Sequence, residues 1–212
     1  VYKVSDLLAK TGTTTSVLNK YTDFILSSDQ AKKSRLSATG AVHRGFKDVI
    51  LLYLPGAEKA ELWGDKVGIE WTSVDVSGPY EVVFSNLLED ELARFETSET
   101  QLTVDLNSGK LKDNYEILVK VTSKTNKGKG SKDYIIKRMR PSDKQKLASS
   151  WEGVKATAAE ETALSKYLMA GYYEENLLLV DAITAYQEAI KLAPDVPMYR
   201  ESYIEFLKRL GF

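Results

Sequence analysis

Residues 163–196, ALSKYLMAGYYEENLLLVDAITAYQEAIKLAPDV, decide how the chain is built. Small residues at Ala170, Ala182 and Ala189 alternate with aromatics at Tyr173 and Tyr186, and Pro194 closes the run. Small side chains at helical spacing let two short helices approach closely, back to back. Thr157 or Thr162 can start the first helix, which carries Leu164, Tyr167, Leu168 and Gly171 at helical spacing. Asp181 opens a second through Ile183, Tyr186 and Ile190, which stops before Pro194. Pro197 initiates a last helix with Tyr199, Tyr203, Phe206 and Leu210, ending at Gly211. Upstream, Ser142 can cap a helix through Leu147 and Trp151, with Asp143 in its first turn where the helix dipole favours a carboxylate, and Gly153 interrupts it. A close helical hairpin of this kind suggests a protein that holds a partner rather than one that transforms a substrate.

Working back from that tail, residues 65–140 read as strands. Val67, Ile69 and Trp71 share one face, and Gly78-Pro79 marks a turn. Tyr80-Glu81-Val82-Val83-Phe84 is the next strand, and Leu102-Thr103-Val104-Asp105-Leu106 alternates with period two. After the turn at Asn107-Ser108-Gly109, Tyr115, Ile117, Val119 and Val121 line one face of a longer strand. Residues 126–130 form a hairpin tip ahead of Tyr134-Ile135-Ile136. Short strands with turns between them predict a β-sandwich of about seven strands. Residues 1–64 read as a β-rich segment, with strands expected over residues 21–26 and 49–54 and a helix or strand over residues 4–10. The expected organisation is therefore multidomain α+β: segment 1–64, sandwich 65–140 and helical domain 141–212.

Bulk composition narrows the function. The chain has 212 residues, 43% hydrophobic and 28% charged, which suits a globular protein with a real core. Net charge is −1, so no overall field draws nucleic acid or an anionic membrane, and no specific nucleic acid is expected. There is no cysteine, which excludes disulfides, zinc–thiolate sites and thiol nucleophiles. The longest apolar run, residues 49–54, is far short of the about 20 residues that span a bilayer, so no transmembrane segment is expected. Residue 1 is valine and no leader motif follows, which leaves a processed or a trimmed chain open.

Two resemblances follow from these residues. Trp71 ending an early strand, Tyr80-Glu81-Val82 after it, and the Tyr115, Ile117, Val119, Val121 strand leading into a glycine-tipped hairpin resemble a fibronectin type III or immunoglobulin-like domain. Lys112-Asp113-Asn114 replaces that family's proline-glycine approach to the second tyrosine. Residues 163–196 resemble one tetratricopeptide repeat of about 34 residues, and 197–212 resemble the first helix of another. Lys166 stands where that family has tryptophan and Leu177 where it has glycine. A generic helical hairpin carries the same spacing. A solenoid needs about three repeats, so these helices must lean on the β-rich part or on another chain. The order of modules resembles proteins of the bacterial cell envelope, which implies a periplasmic or secreted location.

Catalytic equipment is sparse. His43 is the only histidine, so a two-histidine metal site cannot be built within the chain. No nucleophile elbow and no phosphate-binding glycine motif occurs. Glu89-Asp90-Glu91 and Glu174-Glu175 are adjacent carboxylates, whereas a glycosidase pair needs about 5 to 9 Å across a cleft. We expect no enzyme activity, no cofactor and no metal. From residue 120 to 140 there are eight Lys or Arg against the single acid Asp133. Such charges either guard an exposed hairpin against edge-to-edge aggregation or attract an anionic ligand. The expected function is a non-catalytic protein-interaction or scaffold protein. Its candidate contacts are Tyr167, Tyr199 and Tyr203, should they be exposed. The alternative is a module that binds an anionic glycan or peptide through residues 124–132, with Lys127 and Lys129 at the tip.

Overall fold

Alternation along residues 66–73 gives that strand two different faces, and the molecule is built on both. The computed structural model describes residues 50–126 and 128–212. The expected elements at 4–10 and 21–26, and the residues His43 and Lys127, lie outside them. The strands are β1 (Ile50–Leu52), β2 (Glu61–Leu62), β3 (Lys66–Ser73), β4 (Tyr80–Ser85), β5 (Glu91–Thr97), β6 (Gln101–Asp105), β7 (Glu116–Ser123) and β8 (Tyr134–Arg138). They form a three-stranded sheet, β1-β3-β6, and a five-stranded sheet, β2-β8-β7-β4-β5. All pairs are antiparallel except β2 with β8.

Both sheets feed one hydrophobic core. Ile50, Leu52, Val67, Ile69, Trp71 and Val104 come from the first sheet; Val82, Phe84, Ile117, Val119, Val121 and Ile136 come from the second. Trp71 meets Tyr80 edge to face with ring centroids 5.4 Å apart. Each large apolar side chain so buried contributes about 1.5–3 kcal/mol, enough for this core to hold the sheets together. The fold class is mixed α+β.

Several local expectations need correcting. Residues 50–52 and 61–62 belong to the two sheets, pairing with β3 and β8. β5 is a strand that the sequence reading passed over, because it is a sheet edge whose outward positions carry Glu91, Arg94 and Glu96. Glu91, the last of the three adjacent carboxylates, opens that strand. Tyr115 precedes β7 and is exposed, although Ile117, Val119 and Val121 are buried as expected.

The helices are α1 (Pro141–Lys146), α2 (Ala148–Glu152), α3 (Lys155–Ala158), α4 (Ala163–Glu175), α5 (Leu179–Leu192) and α6 (Pro197–Leu210). The single helix expected from Ser142 to Trp151 is broken at Leu147, and Pro141 rather than Ser142 begins it. Thr162 caps α4, its hydroxyl accepting from the Ser165 N–H at 3.1 Å. Gly211 ends α6 in the left-handed conformation, as a helix C-terminus favours. α5 starts two residues before Asp181, whose carboxylate is engaged elsewhere.

That engagement fixes the helices to the sheets. β1 runs out early: Tyr53 N–H donates to Glu70 O at 2.9 Å, and the chain turns away at Pro55. Beyond that point the edge of β3 has no strand partner among the described residues, and α5 supplies a hydrogen-bond acceptor there. Thr184 Oγ1 accepts from the Gly68 N–H at 2.9 Å and donates to Val180 O at 3.0 Å. A Cβ on Gly68 would press on Thr184 Cα at 3.3 Å and on the Gln187 side chain, so glycine is what permits the approach. Asp181 accepts from the Trp63 and Gly64 N–H groups, both at 2.7 Å. Glu70 accepts from Tyr203 Oη at 2.9 Å and Gln187 Nε2 at 3.1 Å. Val180 completes the contact by entering the core between the sheets.

The helices are tied to one another by a buried polar group. Glu174 on α4 accepts from Tyr186 Oη on α5 and from Arg209 Nη2 on α6, the latter at 2.7 Å. Breaking a buried pair strands a charge, which costs more than an exposed pair is worth. Arg209→Met should therefore lower unfolding stability by about 3 kcal/mol. Denaturant melts of the single variants and of Glu174→Gln/Arg209→Met check this: the double variant should lose less than the sum of the singles.

A second test concerns Asp181. Burial pushes its carboxyl up to about 7, against the pull of the two backbone N–H groups and of Lys144. A native pKa above the unfolded value means that the folded state holds the proton more tightly. This group's contribution is then greatest in acid and declines as pH rises from about 4 to about 7. The stability difference between the wild type and Asp181→Asn, measured by denaturant melts across that range, should move against the wild type as pH rises. A flat difference would refute it.

Candidate functional site

The connection between β4 and β5 is only five residues, Asn86-Leu87-Leu88-Glu89-Asp90, and its geometry is set by the first of them. Asn86 Oδ1 accepts from the Leu88 N–H at 2.8 Å and the Asp90 N–H at 2.9 Å. Its Nδ2 donates to Asp90 Oδ2 at 3.0 Å. Its backbone N–H donates to Asp90 O, and its carbonyl accepts from the Glu89 N–H, both at 3.0 Å. Asparagine is suited to this, because its short amide can replace backbone partners in a turn. Glu89 sits at φ 66°, which the loop must hold in place.

The consequence is that two leucines face water. Leu87 is 54% exposed and Leu88 83%. Across from them Tyr115 is 53% exposed. Leu87, Leu88 and Tyr115 line one shallow, open depression of about 300 Å³, closed by residues 113–116 and by Arg140.

The far wall is as well anchored as the loop. Residues Gly109–Asp113 form a short 3-10 turn pinned by buried Leu111. The Asn114 side chain donates to Lys110 O at 2.8 Å, and Tyr115 O accepts from the Arg138 N–H at 2.7 Å. The Arg138 guanidinium spans Lys112 O, Asp65 and Asn107 at 2.7–2.9 Å, tying the turn to β8. Arg140 caps α1, its carbonyl accepting from Asp143 and Lys144.

Small-molecule sites are concave and enclose most of their ligand; this depression is open, and Leu87, Leu88 and Tyr115 share its lining with Asn86, Asp113, Asn114, Glu116 and Arg140. Among the described residues no group of three or more His, Asp or Glu is placed to hold a metal ion. No helix among them is long and apolar enough to cross a membrane.

The residues singled out from the sequence lie elsewhere. Tyr167, Tyr199 and Tyr203 are buried among the helices, so they do not offer exposed contact area. Tyr167 packs at a tilt against Tyr199, ring centroids 5.2 Å apart, and its hydroxyl pairs with Ser202 Oγ at 2.8 Å. Tyr203 packs on Tyr186 at 5.7 Å. Burial raises the Tyr203 phenol pKa well above its ordinary value, and the charge of Glu70 raises it further. On the basic hairpin, Lys129 is exposed. Its neighbours are engaged: Lys124 pairs with Glu96 at 2.6 Å, Lys120 with Asp133 at 3.6 Å, and Lys132 lies over the Tyr134 ring at 4.9 Å.

The sequence reading missed Leu87, Leu88 and Arg140. The available signal was a leucine pair between Asn86 and Asp90, turn-forming residues at a spacing that leaves no room for the pair in a strand. No protein-family model matches the chain, and no curated protein matches it.

If Asn86 organises the loop, removing its side chain should loosen it without disturbing the core. In Asn86→Ala the Leu88 and Asp90 amides should exchange with solvent roughly tenfold faster, at a stability cost of about 1 kcal/mol. Hydrogen exchange followed by NMR checks this, and unchanged protection at both amides would refute it.

Proposed function

We propose that this chain is a non-catalytic protein-interaction module whose contact surface is the Leu87–Leu88–Tyr115 depression. In this reading the two sheets form a sandwich of the immunoglobulin-like or fibronectin type III kind, and α4 to α6 form a tetratricopeptide-like hairpin with one further helix. The shared core of the sheets supports the first part, with Trp71 against Tyr80. Ala170, Ala182 and Ala189, all fully buried, support the second.

One observation carries the functional part: an exposed leucine pair held in a fixed place by the Asn86 side chain. Neither leucine belongs to a core cluster, so folding gains little from them. Adjacent exposed apolar side chains beside an exposed tyrosine form a patch of the kind that marks binding surfaces. A loop built to present them also reduces the ordering cost of association.

The test is a double substitution, Leu87→Ser/Leu88→Ser. Thermal stability should stay within about 2 °C of the wild type, because both side chains are outside the core. Wild-type chain on beads should retain a protein from extract of its source cells after a high-salt wash, and the double variant should lose it. Identical retention by the two would refute the reading.

A further inference from the structure

Between β8 and α4 the chain runs as a strap, residues 141–159, across one side of α4. We infer that this strap opens and recloses while the sheets and α4 to α6 stay folded, alternately exposing and covering the Leu168, Met169 and Tyr172 face of α4. The strap has little stability of its own. Its helices α1, α2 and α3 are six, five and four residues long, and none has a side-chain cap. A helix shorter than about 12 residues is marginal in water. Val154 is the one residue of the strap that is buried. Its ion pairs, Asp143 with Lys146 and Glu152 with Lys155, close within it. Its backbone bonds stay local too: Asp143 and Lys144 donate to Arg140, Leu147 to Lys144, Trp151 to Leu147, Val154 to Trp151 and Ala158 to Val154.

A few side chains hold it shut. Val154, with Trp151 and Ala158 beside it, packs on Leu168, Met169 and Tyr172. The Trp151 ring meets those of Trp63 and Tyr172, with centroids 5.3 and 5.9 Å away. Ser150 Oγ and Tyr172 Oη share a hydrogen bond of 3.0 Å, and the Lys144 ammonium sits 5.5 Å from the centre of the Trp63 ring. Releasing these contacts returns backbone entropy to the whole segment, so opening costs far less than unfolding.

α4 does not need the strap to stay in place. Its other side is held by α5 and α6: Ala170 shares a cluster with Ala182 and Ala189, and Glu174 takes bonds from Tyr186 and Arg209. α5 in turn is fixed to the sheets through Asp181 and Thr184. Leu168, Met169 and Tyr172 are 8%, 4% and 0% exposed beneath the closed strap. The open form is therefore a folded molecule with an added apolar patch, of the kind that marks interaction surfaces, and the closed form conceals it.

Hydrogen exchange of the intact chain, followed by NMR, tests the opening. The Trp151, Val154 and Ala158 amides should exchange roughly a hundredfold faster than interior amides of α4 and α5, after correction for intrinsic rates. Low urea should leave the strap rates nearly unchanged, because local opening exposes little surface. Thiol chemistry then reads the uncovering. The chain has no cysteine, so Met169→Cys places a single thiol beneath the strap and Val180→Cys one in the core between the sheets. Circular dichroism establishes that each variant is folded. A thiol reagent should modify the first at least roughly tenfold faster than the second, and adding Trp151→Ala should speed only the first, by about tenfold.

Strap amides that exchange together with those of α4 and α5 would overturn the inference, and that measurement needs no substitution. Fast strap exchange with a thiol at 169 no more reactive than one at 180 would overturn it as well, being fraying without uncovering. So would equal acceleration of both thiols by Trp151→Ala, since the strap would then belong to one cooperative unit with the rest.

Discussion

The approach of α5 to β3 is the constraint on which the described structure depends. A β-strand that loses its neighbour partway along leaves backbone N–H groups without acceptors, and burying them unpaired is costly. β1 covers β3 only near Trp71, Thr72 and Ser73. A helix completes the edge: Thr184 accepts from Gly68, and Asp181 accepts from the turn that precedes β3. The side-chain-free Gly68 brings the helix axis close enough for a threonine hydroxyl to reach the strand. Replace any one of these groups and the others are left facing a gap or an unpaired charge.

Because α5 is committed to the sheets, α4 and α6 are positioned through it. Alanines at 170, 182 and 189 set a short separation between α4 and α5, and Tyr186 then reaches Glu174 across it. Arg209 returns from α6 to the same carboxylate. Three helices are too few to bury all their apolar faces alone. Here the missing layer is the outer surface of β3, where Glu70 takes hydrogen bonds from α5 and α6. The tyrosines that read as contact residues are the internal filling of this arrangement, since their rings supply bulk and their hydroxyls find partners inside.

What was legible in the sequence follows from where each signal came from. Strands buried on one face announce themselves by alternation, so β3, β4, β6 and β7 were readable from Val67, Val82, Val104 and Val119. β5 was not, because an edge strand is under pressure to look polar. Helix boundaries at Thr162, Pro197 and Gly211 obeyed local capping chemistry. Asp181 looked like a helix cap by the same rules, yet its carboxylate is used over a separation of more than a hundred residues. No local pattern encodes that. The site was harder still: exposure is a property of the fold, and a tyrosine's sequence neighbours do not say whether it will be 5% exposed like Tyr203 or 53% like Tyr115.

The exposed leucines can be understood against that background. A chain that buries Leu52, Leu54, Leu62, Leu106 and Leu111 almost completely has the means to bury Leu87 and Leu88. A two-residue turn of Asn-Gly type would have joined β4 to β5 with no apolar residue at all. Instead the connection is five residues long, and its asparagine spends every side-chain hydrogen-bonding group on the loop itself. The loop's internal bonds therefore replace the burial that would otherwise order two leucines. That arrangement settles the shape of the loop without help from the core, and a surface ordered in advance is what the proposed role in binding would require.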